Sequence, residues 1–259
     1  MDLTQAFLEA AAQRVRTAGQ IVRNYFGEKL PQIAKLEGFV TQADLETERY
    51  LIKELRHLLP EADILAEETA SNLKTAEYCW VIDPLDGTTN FSRKLPYFAV
   101  SVALTRNCWP VLGIIYNPAL DQLFYGAQGV GLYLDGTSLP QIDGPALNES
   151  LVGMSFSYQT FDNYHSLWLA AERVRLEVYS LRQFGSVALD LANLAAGRID
   201  AAFFKELHWW DVAAGLCLAE LAGAKISCFK GGKIDQKFSS CLVAGPKIHS
   251  QLVSLLKNY

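Results

Sequence analysis

The chain has 259 residues, half of them hydrophobic and a fifth charged, the balance of a soluble globular protein long enough for one large domain or two fused lobes. Its formal net charge of −5 gives no bulk attraction to nucleic acid or to an anionic membrane, and there is no dense Lys/Arg run, so direct nucleic-acid binding is not expected. Nowhere do about 18 apolar residues run uninterrupted, so no membrane span is expected.

Cys79, Cys108, Cys217, Cys228 and Cys241 are odd in number, show no C-x-x-C spacing and mostly sit inside apolar runs. They read as small buried hydrophobes in a reducing cytoplasm rather than as a disulfide or zinc framework. The N-terminal stretch is helix-patterned and lacks the basic and apolar regions of a signal peptide, which also points to the cytoplasm.

Leu3, Phe7, Ala11, Val15, Ala18, Val22 and Tyr25 recur at spacings of three and four, predicting an amphipathic helix that Gly27 can end. A second helix begins at Thr41, with Asp44 at the capping-box spacing and Leu51, Leu55 and Leu58 on one face, and stops before Pro60. From "ADILAEE" through "YCWVIDP", "YFAVSVALTR", "VLGIIYNP", "QLFYGA" and "GLYLDGTSLP", short β-branched and aromatic runs punctuated by Asn-Pro, Gly and Asp-Gly predict an antiparallel meander. Beyond about residue 145 the texture alternates. "LVGMSFS", "VYSLRQF", "IDAAFF", "AKISCF" and "CLVAG" read as strands. Helices are predicted near 163–175, over Ser186–Ala196, over Asp211–Ala222 and after Pro246. The chain therefore divides into an α+β lobe, residues 1–144, and a βα-alternating lobe, 145–259, packed as one unit.

The stretch "YCWVIDPLDGTTNF" (Tyr78–Phe91) drives an apolar strand into two aspartates three apart. Proline restricts the backbone there and glycine permits a sharp turn, so Asp83, Asp86 and the Leu85 carbonyl can converge on one point. Hard oxygen donors at short spacing suit a magnesium-type cation, and the amides near Gly87 and Thr88 form a natural anion seat. Metal carboxylates beside phosphate-binding amides are the parts of a metal-assisted phosphatase. The same residues also make an ordinary solvated turn. Further acids bear on the choice: Glu67 and Glu68, which end the apolar run in "ILAEET" and are otherwise surface residues, and Asp211, in "HWWDVAAG", otherwise a helix N-cap.

"VTQAD" (Val40–Asp44), "AEET" (Ala66–Thr69), "WVIDPLDGTTNF" (Trp80–Phe91), "FGSVALDLANLAAGRID" (Phe184–Asp200) and "WWDVAAG" (Trp209–Gly215) occur in the order and approximate spacing of the inositol monophosphatase family, which the chain resembles over nearly its whole length. The resemblance implies a layered αβαβα sugar-phosphatase fold, usually dimeric, that hydrolyses small phosphate monoesters with two or three Mg2+ ions and is often inhibited by lithium. It assigns Glu67, Asp83 and the Leu85 carbonyl to a first metal site and Asp83, Asp86 and Asp211 to a second. It gives Thr88 and Glu67 the attacking water, with Asp44 supporting the threonine. Substrate contacts are implied for Asp86, Gly87, Thr88, Ser186, Val187, Phe204 and Asp211.

The pattern departs at Phe204. Typical inositol phosphatases have there, seven residues before the W-D aspartate, a glutamate that binds sugar hydroxyls, and phenylalanine accepts no hydrogen bond. Either Glu206 takes over through a register shift, or Phe204 stacks on a ring of another ester. The reading is inositol monophosphate or a similar polyol phosphate. The alternatives are fructose 1,6-bisphosphate, phosphoadenosine phosphate, histidinol phosphate, or an added accessory role in RNA or transcription complexes.

Overall fold

The computed structural model describes residues 3–28, 31, 33–34, 39–69, 76–156 and 161–259. In chain order its elements are α1 (Gln5–Tyr25), β1 (Ile33–Ala34), β2 (Phe39–Val40), α2 (Gln42–Leu58), β3 (Asp63–Ala66), β4 (Tyr78–Asp86), α3 (Thr88–Ser92), β5 (Ala99–Arg106), β6 (Trp109–Asn117), β7 (Gln122–Ala127), β8 (Gly131–Leu134) and β9 (Thr137–Ser138). A 3-10 turn at Leu147–Glu149 leads into β10 (Leu151–Phe156), α4 (Phe161–Arg175), β11 (Ser180–Arg182), α5 (Val187–Ala195), β12 (Ala201–Lys205), α6 (Trp209–Leu221), β13 (Lys225–Ser227), β14 (Ser240–Ala244) and α7 (His249–Leu256).

β3 to β9 form a seven-stranded sheet in sequence order, and β11-β10-β12-β14-β13 form a five-stranded one. α1 and α2 cover the outer face of the first sheet, α5 and α6 fill the space between the sheets, and α4 and α7 cover the outer face of the second. The five layers are the expected αβαβα order. The helices form because their apolar stripes face these layers: Leu8, Ala11, Val15, Ala18 and Val22 of α1 are all buried, and Thr4 caps its N-terminus by accepting the Phe7 amide at 3.2 Å. Among the described residues no helix is long and apolar enough to cross a membrane, and none of the five cysteines forms a disulfide.

β4 is buried along its whole length because both faces are covered. Tyr78, Trp80 and Ile82 pack with α1 and α2, while Cys79 and Val81 point the other way toward α5 and α6. One feature of the meander differs from expectation. β3 lies parallel to β4, and the antiparallel succession begins only at β4. Alternation of apolar residues is the same in either direction, so the sequence pattern does not distinguish them.

α6 sits unusually close to its neighbours. A Cβ on Gly113 of β6 would fall 2.4 Å from the Ala214 carbonyl oxygen, and one on Gly215 would fall 2.4 Å from Leu191 Cβ of α5. A backbone carbonyl cannot yield as a side chain does. Gly113→Ala is therefore expected to lower unfolding free energy by about 1–3 kcal/mol, the usual cost of overpacking. Denaturant unfolding of the variant measures it, and unchanged stability would mean that α6 is not held this tightly.

Candidate active site

Three local devices bring acids from three elements to one edge of the first sheet. The first is a β-bulge. Asp83 pairs with Ser101 and Asp86 with Ala99, so three steps along β4 oppose two along β5. Without the extra residue Asp83 and Asp86 would face opposite sides of the sheet. With it, both face the layer of α5 and α6. Pro84, which has no N–H to give the ladder, lies inside the bulge.

The second device is the parallel pairing of β3 and β4. Ala66 stands opposite Ile82, and the Glu67 amide donates to the Ile82 carbonyl at 3.1 Å, so Glu67 leaves its strand beside Asp83. An antiparallel β3 would carry that acid to the far end of the sheet.

The third is the set of helix starts in the middle layer. Asp86 accepts the Ser186 hydroxyl, the Ala188 amide at 2.8 Å and the Val187 amide, capping α5 from another strand. Asp211, third residue of α6, accepts the His208 amide at 2.7 Å. Its carboxylate caps the helix from within, while its charge acts on Asp83.

The turn after β4 is fastened by its own polar atoms. The Leu85 amide donates to Asp83 at 3.0 Å, and the Thr88 hydroxyl donates to the Leu85 carbonyl at 3.0 Å. Gly87 has φ +87°, and a Cβ there would lie 3.1 Å from the carbonyl oxygens of both Gly185 and Tyr97, so glycine is required on both conformational and steric grounds. Asn90 Nδ2 donates to the Tyr97 and Phe184 carbonyls, each at 2.8 Å, tying α3 to the segment that starts α5.

Burial and like charge act together here. Asp83 is 1% exposed, and its carboxyl is held well above the ordinary range, first by desolvation and then by the charges of Glu67, Asp86 and Asp211. Asp86 is pushed up to about 6 by burial, against the lowering pull of Ser186 and Ala188. The strongest charges acting on Asp83 are all negative, and every donor is a hard oxygen, a set that suits magnesium. Among the described residues no three such side chains already enclose a single point at ligating distance. Asp83 and Glu67 share a side-chain hydrogen bond that favours the protonated form of Asp83.

These contacts bear on several of the expected roles. Thr88 gives its hydroxyl proton to Leu85, not to Asp44; Asp44 is buried in the α2 capping box, where it accepts the amide and hydroxyl of Thr41 and is pushed up to about 6 by desolvation. Ser186 and Val187 are buried and give their donors to Asp86, so they support that carboxylate. Phe204 is fully buried among the apolar residues of the middle layer. With no exposed face it can neither line a substrate wall nor stack on a ring. Glu206, two residues later, is half-buried with φ +56° and follows the end of β12. The capping role of Asp86 and the clamp by Asn90 went unread, because both join residues about a hundred positions apart.

The pattern of the inositol monophosphatase family matches residues 3–259. An inositol-1-monophosphatase of Mesorhizobium japonicum is 35% identical over 94% of this chain and 92% of its own length. A fructose-1,6-bisphosphatase/inositol-1-monophosphatase of Thermotoga maritima is 30% identical over 96% and 95%. The crystal structure of the extragenic suppressor protein suhB from Bartonella henselae superposes with a TM-score of 0.90 at 30% identity, covering 98% of this chain and 99% of that one. Together with the layered fold and the acids gathered at the end of β4, these likenesses make the chain a phosphoric monoester hydrolase belonging to the inositol monophosphatase family.

Proposed function

We propose that the chain is a magnesium-dependent phosphatase releasing phosphate from inositol monophosphate or a similar polyol phosphate. The observation that carries the reading is the buried group of Glu67, Asp83, Asp86 and Asp211, whose dominant mutual interactions are repulsive. A phosphate monoester is itself a dianion, and such a site would repel it unless cations neutralised the acids first. The family's general dependence on Mg2+ supports the same conclusion.

Glu67, Asp83 and the Leu85 carbonyl would hold one ion, and Asp83, Asp86 and Asp211 another. When bound, the ions supply charge neutralisation, activation of water and stabilisation of the leaving alkoxide. The chain's own residues do the positioning. The bulge and the α5 amides fix Asp83 and Asp86 on one face of the sheet. The amides at the start of α3, beside Gly87 and Thr88, would offer donors to the phosphate. Thr88 and Glu67 orient the attacking water for in-line displacement, so no covalent intermediate on an aspartate is needed.

A second reading, fructose 1,6-bisphosphate or another ester, is favoured by Phe204. In place of the family's sugar-binding glutamate stands a fully buried ring, and a relative from Thermotoga maritima is named for both activities. Glu206, which follows the end of β12, would be the nearest acid along the chain to replace the missing one. A homodimer in a reducing cytoplasm completes the proposal, on the family resemblance and the five cysteines outside any disulfide.

Phosphate release assayed across inositol monophosphates, fructose 1,6-bisphosphate, phosphoadenosine phosphate and histidinol phosphate tests the substrate, with the highest kcat/KM expected for an inositol monophosphate. Chelation should abolish turnover and magnesium restore it; chelator-resistant hydrolysis would refute metal dependence. Asp83→Asn and Asp211→Asn should each lower kcat by about a hundredfold or more with the fold retained by circular dichroism.

The acids also set a pH dependence. Asp44 and Asp86 ionise near 4 when unfolded but near 6 when folded. Between those values the folded state binds more protons, so metal-free stability falls as pH rises from about 4 to 6, by on the order of 3 kcal/mol per group. Melting temperature in chelator should therefore drop over this window. Added magnesium should raise it more at pH 7.5 than at pH 4.5, and an equal rise at both would contradict the proposed ligands.

A further inference from the structure

α2 turns polar side chains inward where an amphipathic helix ordinarily has apolar ones: Asp44, Thr47 and Glu48 share the buried stripe with Leu51 and Leu55. Asp44 is engaged locally, in the Thr41 capping box. Glu48 has no cap to serve. It is 2% exposed, and its Oε2 accepts the Glu68 amide at 2.8 Å, 20 residues away along the chain. The same carboxylate accepts the amide and the hydroxyl of Thr69. One buried acid thus gathers three donors from a single turn. Buried carboxylates are expensive unless hydrogen bonded, and these three bonds are what make its place tenable.

The turn so held begins at Glu67. On the other side of that residue, the Glu67 amide is pinned to the Ile82 carbonyl at 3.1 Å. Glu67 is therefore gripped from both sides, by the sheet before it and by Glu48 after it. The charges of Glu48 and Glu67 also feel one another, so Glu48 adds negative field beside the ligand.

We propose that Glu48 is a positioning residue for the cation site: it fixes the Glu67–Thr69 turn so that the Glu67 carboxylate faces Asp83, and it strengthens cation binding through that orientation and through its own charge. The inference rests on the reading that Glu67 is a metal ligand. It places the determinant of metal affinity on a helix that supplies no ligand and lies behind the sheet edge. Outer residues that orient a ligand commonly govern metal affinity by ten- to a hundredfold.

Glu48→Gln is the informative change, because it keeps the shape, removes the charge and turns an NH2 group toward donors. Titration calorimetry of the metal-free protein with MgCl2 should show affinity about tenfold weaker. The half-saturating magnesium for phosphate release should rise in parallel, by a larger factor than kcat at saturation falls. Thr69→Val, at an exposed residue, removes one of the three donors without disturbing the core and should weaken magnesium binding about two- to threefold. Unchanged magnesium affinity in the folded variants, with only a lower melting temperature, would reduce Glu48 to a structural brace and overturn the proposal. Glu67→Gln, measured alongside, separates the two failures. If it weakens magnesium binding while Glu48→Gln and Thr69→Val do not, the clamp is wrong; if Glu67→Gln itself has no effect, the metal reading on which the clamp rests is wrong.

Discussion

Four carboxylates gathered where water is scarce repel one another, and much of the structure around β4 answers that repulsion. Asp83 lies at the end of a strand covered on both faces, so solvent cannot screen it. Asp86 is eased by the Ser186 hydroxyl and the first amides of α5. Asp211 is eased by the His208 amide at the start of α6. Asp83 and Glu67 share a side-chain hydrogen bond that favours the protonated form of Asp83. Hydrogen bonds from helix starts thus relieve the flanking acids and leave the central pair with the least compensation, where a cation gains most.

This arrangement separates two kinds of work. The apolar half of β4 makes the strand immobile, with Trp80 and Ile82 locked against α1 and α2 and Val81 against the middle layer. The polar half then needs no rigidity of its own, since the bulge and the Asn90 and Thr88 contacts define the turn. A site built on such a strand holds its ligands more exactly than a loop could.

Much of this was legible in the residues. The helix stripes of α1 and α2, the capping box at Thr41 and the run of strands follow from periodicity and turn chemistry, and the family motifs imply the five layers. What escaped was direction and distance. Alternation in "DILA" says that Asp63–Ala66 is a strand but not that it runs parallel to β4, which is the fact that brings Glu67 to Asp83. Phe204 was read as a wall because spacing locates a residue along the chain and not on the inside or outside of a layer; its neighbour Phe203 faces α4 and α7 while Phe204 faces α5 and α6. Ser186 looked like a substrate contact because the partner that occupies it is 100 residues away. Glu48 did leave a trace: an acid four residues after Asp44, on the stripe that Leu51 and Leu55 occupy, is out of place on a helix whose inward face should be apolar.

The cap that Asp86 places on α5 has a further consequence, in time rather than in space. It joins positions 102 residues apart, and Asn90 bridges 94 more residues of separation to Phe184. Contacts of such span close late, because the chain entropy of the intervening loop must be lost before they return anything. A nascent chain that has built only its first sheet therefore holds Asp83 and Asp86 without the amides that make them tolerable side by side. A cation that recognises only the docked pair of sheets would favour the last step of assembly over every earlier state, so a cation bound by these acids would also draw the two halves of the chain together.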